Sequence, residues 1–142
     1  HTRCVTPSQW WETQCDTPAA DGLHAPNTAW NEGPYVYKHN GTYYMTYSAN
    51  PYWNSLYGVG LAFSKSPRGP WTKYHANPIV VKQAGLTAGT GHNMFFKDFN
   101  GKLWCAYHTY SNPNASGNVN RELLLSRAWF DNGILRVEYS NW

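Results

Sequence analysis

A chain of 142 residues is one domain's worth of sequence, long enough to bury a single core. Its formal charge is only +3, from 11 basic and 8 acidic residues without a basic run, which argues against nucleic acid or an anionic membrane as partner. Charged residues make up 13% and aromatics 17%, with 8 Trp and 11 Tyr, a balance that suits a β-rich core and also suits stacking on sugar rings. No stretch approaches the roughly 20 apolar residues of a membrane-spanning helix. No leader is visible either, so the expected chain is mature, excised, or begun partway along a longer protein. Cys4 and Cys15 lie in a loop-like segment where they could bridge, whereas Cys105 sits mid-strand and reads as a buried free thiol. Sequons at Asn40 and Asn114 are compatible with a secreted or periplasmic location.

Residues 1–30 hold Pro7, Pro18 and Pro26 and read as an irregular lead-in with at most one short strand. Trp10 and Trp11 are expected to cap the core that this lead-in crosses. From residue 33 the pattern changes to short runs of aromatic and β-branched residues. Strands are predicted over 35–37, 43–48, 59–64 and 71–74, the first two joined by Asn40-Gly41, a strong hairpin signal. A second set is predicted over 93–97, 103–109, 122–129 and 134–138, with turns at Asn100-Gly101 and Asp131-Asn132-Gly133. Nothing reads as a long amphipathic helix, and the fold class is all-β.

The two sets are related. Gly41 and Gly101, Tyr47 and Tyr107, and Glu32 and His92 all stand 60 positions apart. A repeat of that period, each unit holding four short antiparallel strands, is the signature of β-propeller blades. On this alignment Glu32 and His92 come just before the first strand of their units and face one central channel. Two blades and a lead-in cannot close a propeller of typically about four to eight blades. The expectation is therefore a single partial domain over 1–142. It comprises the lead-in (1–30), one blade with its connection (31–90), and a second blade with the start of closure (91–142). The missing blades would come from the same protein or from a second chain.

Glu32 is the strongest catalytic candidate, because a carboxylate among Tyr and Trp rings has its acid form favoured by desolvation, as a general acid needs. His92 is a candidate metal ligand, substrate contact or loop histidine. His24, His39, His75 and His108 lack zinc-type spacing and read as surface or packing residues. Arg121 could hold sugar hydroxyls or a carboxylate through its planar fork, and its neighbour Glu122 should point to the opposite face. Tyr52, Trp53 and Tyr57, in the loop after the second strand, are expected either to wall a pocket or to pack. No other carboxylate stands where a partner for Glu32 is needed, although glycoside hydrolysis ordinarily uses two. There is no G-x-S-x-G elbow, Gly58-Val59-Gly60 lacks a third glycine, and Cys105 is ill placed as a nucleophile.

The segments NEGPYVYKHNGTYYMTYSAN, YGVGLAFSKSPRGPWTKY, GTGHNMFF with FNGKLWCAYH, and NRELLLSRAWFDNG follow one another across 31–133. Together they resemble the later part of glycoside hydrolase family 43, the arabinanase, arabinofuranosidase and β-xylosidase group. The resemblance implies a five-bladed propeller, of which this chain would supply about two to three blades, and an inverting hydrolase of arabinose- or xylose-containing plant polysaccharides or oligosaccharides. It implies that Glu32 is the general acid, that Arg121 contacts substrate, and that His92 lies near a central metal ion, usually calcium. The family's base and pKa-setting Asp would lie before residue 1. Two other readings compete: a carbohydrate-binding propeller segment without catalysis, and a structural segment that docks another protein.

Overall fold

The structure, a computed structural model, describes residues 1–14, 29–115 and 119–138. Eight strands are present: β1 (Asn31–His39), β2 (Thr42–Ala49), β3 (Gly58–Ser64), β4 (Thr72–Lys73), β5 (Gly91–Lys97), β6 (Leu103–Tyr110), β7 (Arg121–Asp131) and β8 (Ile134–Val137). They form two four-stranded antiparallel sheets, β1-β2-β3-β4 and β5-β6-β7-β8, each in chain order. All eight predicted strands are found, β4 and β8 shorter than the pattern indicated and the others longer. Among its described residues the lead-in holds a single 3-10 turn, Trp10–Thr13, and no strand. Cys15, and with it the Cys4–Cys15 bridge, lies outside the described residues. Cys105 is a buried free thiol, pushed up to about 12 by burial.

The two hairpins differ by one residue, and that difference corrects the repeat. Asn40 and Gly41 both take positive φ (45° and 73°) between the closing pair His39 and Thr42, the two-residue turn that matches strand twist. The second loop runs from 98 to 102 between Lys97 and Leu103. There the Asp98 carboxylate accepts the N–H groups of Asn100 and Lys102 (both 2.9 Å) and the Trp104 indole N–H (3.0 Å). The Trp104 bond, above all, holds the Asp98 carboxyl below its ordinary value. The 60-residue spacing therefore holds for β2 and β6 but slips by one between β1 and β5. Glu32 pairs with Ser48, whereas Gly91, not His92, pairs with His108. His92 corresponds to Gly33 instead. Each lies at a β-bulge with left-handed backbone, φ 52° and 56°. Glu32 and His92 also lie inside their strands rather than ahead of them, because pairing resumes beyond each bulge.

The core fills the space between the two sheets. Tyr44, Val59 and Leu61 of the first meet Phe95, Cys105, Tyr107, Leu135 and Val137 of the second. Tyr35 donates its hydroxyl to Phe95 O (2.7 Å), and Tyr44 donates to Gly133 O (2.9 Å) across the same interface. His39 stacks on Phe130 with ring centroids 3.7 Å apart. Most of the aromatic content is thus spent on packing, at about 1.5–3 kcal/mol for each large side chain fully buried.

The described lead-in covers part of the other face of the first sheet. Trp11 is buried against Tyr47, and both rings press on Gly60, where a Cβ would lie 2.6 Å from Tyr47 and 2.7 Å from Trp11. Trp10 points away and is 73% exposed, so only one of the predicted pair caps the core. Glu12 is fully buried and accepts the N–H groups of Ser8 (2.6 Å) and Gln9 (2.7 Å) and the Lys73 ammonium (2.5 Å). Burial pushes the Glu12 carboxyl up, but these bonds together outweigh it and hold the group below its ordinary value.

The second sheet has no such cover among the described residues. Met94 and Leu125 flank Ala106, Phe96 and Arg127 flank Trp104, and Leu123 lies beside His108 on the same face. Met94, Phe96, Leu123, Leu125 and Trp129 on this face are all exposed. This is an apolar sheet face open to solvent.

Candidate active site

The bulge in β1 follows directly on Glu32, which stays paired with Ser48. Gly33 makes the bulge possible twice over. Its φ is positive, and the His92 ring lies against it so closely that a Cβ would stand 3.2 Å from the imidazole. His92 in turn donates its backbone N–H to Ser48 Oγ (2.7 Å), tying the bulge of β5 to the residue that faces Glu32. Asn93 donates its side-chain amide to Thr46 Oγ1 (3.0 Å) one step further along.

Tyr57 closes the group. Its hydroxyl donates to Glu32 Oε1 at 2.7 Å. The ring is fully buried and stacks on His108, with centroids 5.4 Å apart and planes 8° from parallel. Burial, reinforced by the Glu32 charge and hydrogen bond, holds the phenol well above its usual range, although Ser48 and the Arg121 charge pull the other way. At neutral pH Tyr57 is a hydrogen-bond donor. His108 is driven down to about 4, first by burial and then by the charges of Arg121 and His92. It is therefore neutral in the same range, and its Nε2 is buried without a hydrogen-bond partner.

The glycines of Gly89-Thr90-Gly91 are explained by two tyrosines. A Cβ on Gly91 would lie 2.1 Å from the Tyr57 ring, and one on Gly89 would lie 2.2 Å from the Tyr110 ring. Gly89 N–H donates to Ser55 O (2.9 Å) and the Thr90 hydroxyl donates to Tyr57 O (3.3 Å), which pins the Tyr57 loop onto the second sheet. Tyr110 donates its hydroxyl to Tyr52 O (2.9 Å), and the Arg121 guanidinium lies over the Tyr52 ring at 5.1 Å. Arg121 is exposed and shares the sheet face of His108 and Leu123, while Glu122 points to the other face.

The structure thus brings Glu32, Tyr57 and Arg121 into one neighbourhood, with His92 held against the Glu32 bulge. Trp53 is set apart, buried between Trp30 and Tyr52 with its ring edge-on to both. Of the three loop aromatics, Tyr52 alone offers an exposed ring. Ser48 is an addition, and His108, expected as a surface or packing residue, packs on Tyr57. The 60-residue spacing does relate Ser48 to His108, so the repeat carried a signal for both.

The arrangement can hold one carboxyl group in a fixed orientation through Tyr57, with the Arg121 guanidinium near enough to act on the same phenol. Four other described carboxylates are engaged elsewhere: Glu12 with Lys73, Asp98 in its loop, Asp131 with Arg136 (3.7 Å) and Glu138 with the Arg127 N–H. Among the described residues no three His, Cys, Asp or Glu side chains converge to hold a metal ion. His92 alone does not make the calcium site that the resemblance implies, since calcium takes several oxygen ligands.

Comparison with known proteins identifies the family. The family model for glycosyl hydrolases family 43 matches residues 8–135. A thermostable family-43 glycoside hydrolase is 40% identical with a TM-score of 0.79, over 95% of this chain and 40% of that one. An endo-1,4-beta-xylanase from Bacteroides thetaiotaomicron is 31% identical with a TM-score of 0.79, over 96% of this chain and 43% of its own. A Beta-D-galactofuranosidase xynD of Aspergillus niger is 30% identical over 114 residues, which is 78% of this chain and 32% of that protein. The chain spans less than half the length of each of these relatives. It belongs to glycosyl hydrolase family 43.

Proposed function

We propose that this chain is part of the catalytic domain of a glycosidase that inverts configuration and acts on arabinose- or xylose-containing plant polysaccharides or oligosaccharides. The observation that carries the reading is Glu32: a carboxyl group at a bulge, one oxygen bonded to Tyr57, a phenol that feels the charge of Arg121, which itself lies over the exposed ring of Tyr52. Glu32 protonates the departing glycosidic oxygen. A carboxylate outside this chain activates water on the opposite face of the sugar, across a gap of about 6.5–9.5 Å. Arg121 and Tyr52 bind the sugar beside the scissile bond. The name of the endo-1,4-beta-xylanase relative supports the xylose side of this class, while that of the galactofuranosidase names a furanoside as substrate within similar proteins.

The two sheets are two blades of a five-bladed propeller. Two-fifths of such a domain fits the 40% of the thermostable relative that the chain spans, and the bare apolar face of the second sheet fits the seat of a further blade. A calcium ion at the axis would take one ligand from this chain, His92, and its oxygen ligands from elsewhere. A polysaccharide substrate is too large to enter a cell, which favours a secreted or periplasmic enzyme.

The test is Glu32→Gln in the full-length protein. It lowers turnover of an unactivated oligosaccharide by about 10²–10⁴-fold while saccharide binding persists. Turnover at the wild-type rate contradicts the reading. A second reading, sugar binding without catalysis, draws on the engagement of most other described carboxylates away from Glu32. It predicts saccharide binding with no product even in the wild-type full-length protein.

A further inference from the structure

We propose that Tyr57 is a positioning residue that decides which oxygen of the Glu32 carboxyl group carries the proton to be donated. The inference rests on the reading of Glu32 as general acid and adds to it a role for the second sheet.

A protonated carboxyl group has one hydroxyl oxygen and one carbonyl oxygen, and only the first can donate. Tyr57 Oη lies 2.7 Å from Glu32 Oε1. The tyrosine carries its own proton across the working pH range, so it donates and Oε1 accepts. Oε1 is thereby the carbonyl oxygen, and the acidic proton is left to Oε2. During the reaction the proton passes from Oε2 to the glycosidic oxygen as the bond from that oxygen to the anomeric carbon breaks. The leaving group departs as a neutral alcohol and Glu32 remains as a carboxylate. The Tyr57 hydroxyl then bonds to a charged acceptor, which strengthens the contact as proton transfer proceeds.

This works only if Tyr57 cannot turn away. The second sheet and the residue leading into it supply three constraints. The His108 ring stacks on one face of Tyr57, the bare Cα of Gly91 lies against the ring, and Thr90 holds the Tyr57 carbonyl. Among the described residues the groups around the pair are Ser48, His92, His108 and Arg121, and none of these is acidic. A buried tyrosine that had merely found an acceptor would satisfy the hydrogen bond without affecting chemistry. The two roles differ in how the effect depends on the leaving group.

The test compares wild-type, Tyr57→Phe and Gly91→Ala full-length proteins on aryl glycosides of decreasing leaving-group acidity and on an unactivated oligosaccharide, with Glu32→Gln alongside. For Tyr57→Phe, kcat on the unactivated substrate falls about ten- to a hundredfold, the size of one hydrogen bond to a charged group. KM stays nearly constant, and the loss shrinks steadily as the leaving group becomes more acidic. Gly91→Ala, which keeps the hydroxyl but crowds the ring, shows the same dependence. The ratio of rates on two substrates does not change with the fraction of enzyme folded, so poor folding cannot mimic the result. A loss equal across the series, or no loss, overturns the role of Tyr57 while leaving Glu32 intact. Wild-type turnover of the oligosaccharide by Glu32→Gln overturns the reading of Glu32 itself, and the proposal with it.

Discussion

The two sheets have the same strand order, similar hairpins and a bulge at the same place, yet one presents a carboxyl group and the other supports it. A single residue separates them. The five-residue loop around Asp98 shifts β5 by one position relative to β1, so Gly91 stands where Glu32 stands and His92 stands where Gly33 does. Side chains alternate faces along a strand, and a slip of one would ordinarily exchange inside for outside. Here the extra residue is confined to the Asp98 loop, so each paired position of β5 keeps the face of its counterpart in β1. The first sheet projects Glu32, and the second offers a glycine against which the Tyr57 ring can lie. The lesson is that repeated sheets need not repeat chemistry.

The sheets also differ in how their outer faces are covered, and this difference carries the largest expected effect on stability. Lys73→Met leaves the buried Glu12 carboxylate without its cation and costs about 3–5 kcal/mol. Equilibrium denaturation of the full-length protein measures it. Glu12→Gln together with Lys73→Met recovers much of the loss, because the uncompensated charge is gone. A double variant no better than Lys73→Met would show that the pair acts through something other than its charges.

A second contrast appears on acidification. His108 binds its proton near pH 4 in the folded chain and near 6.5 when unfolded, so the unfolded state takes up more protons between these values and stability rises with pH across that window. Glu12 acts lower. Its contribution is complete above its ordinary value of 4.5 and is lost as pH falls through the depressed folded value. Melting temperatures should therefore fall first between pH 6.5 and 4, then again below 4.5. His108→Phe should flatten the first fall and leave the second.

The smallest effect compares the hairpins directly. Gly41 and Gly101 both have positive φ, and a Cβ on either would meet nothing within 4 Å. Alanine at each should cost about 1 kcal/mol of backbone strain and no more. A much larger cost at Gly101 alone would mean that the Asp98 loop sets more than the register.

Local pattern was enough for the strands, because alternating aromatic and β-branched residues between Asn-Gly turns leave few alternatives. It was enough to nominate Glu32, Tyr57 and Arg121 as well. Register was not legible. Asn40-Gly41 and Asn100-Gly101 read alike, and only the bonds gathered by Asp98 make the second loop longer. Nor was the partner of His108, which stacks on Tyr57 in the loop before β3. The Glu12–Lys73 pair joins residues 61 positions apart, beyond any periodicity. Trp10 and Trp11 illustrate the same limit, since adjacent and identical residues have opposite fates.

The claim on which the rest depends is that Glu32 delivers a proton to the leaving group. A glycosyl fluoride needs almost no such help, whereas an oligosaccharide needs all of it. The decisive measurement is the ratio of the two rates for Glu32→Gln in the full-length protein. The account predicts near wild-type turnover of the fluoride and a loss of about 10²–10⁴-fold on the oligosaccharide. Equal loss on both would make Glu32 a structural residue and contradict the account.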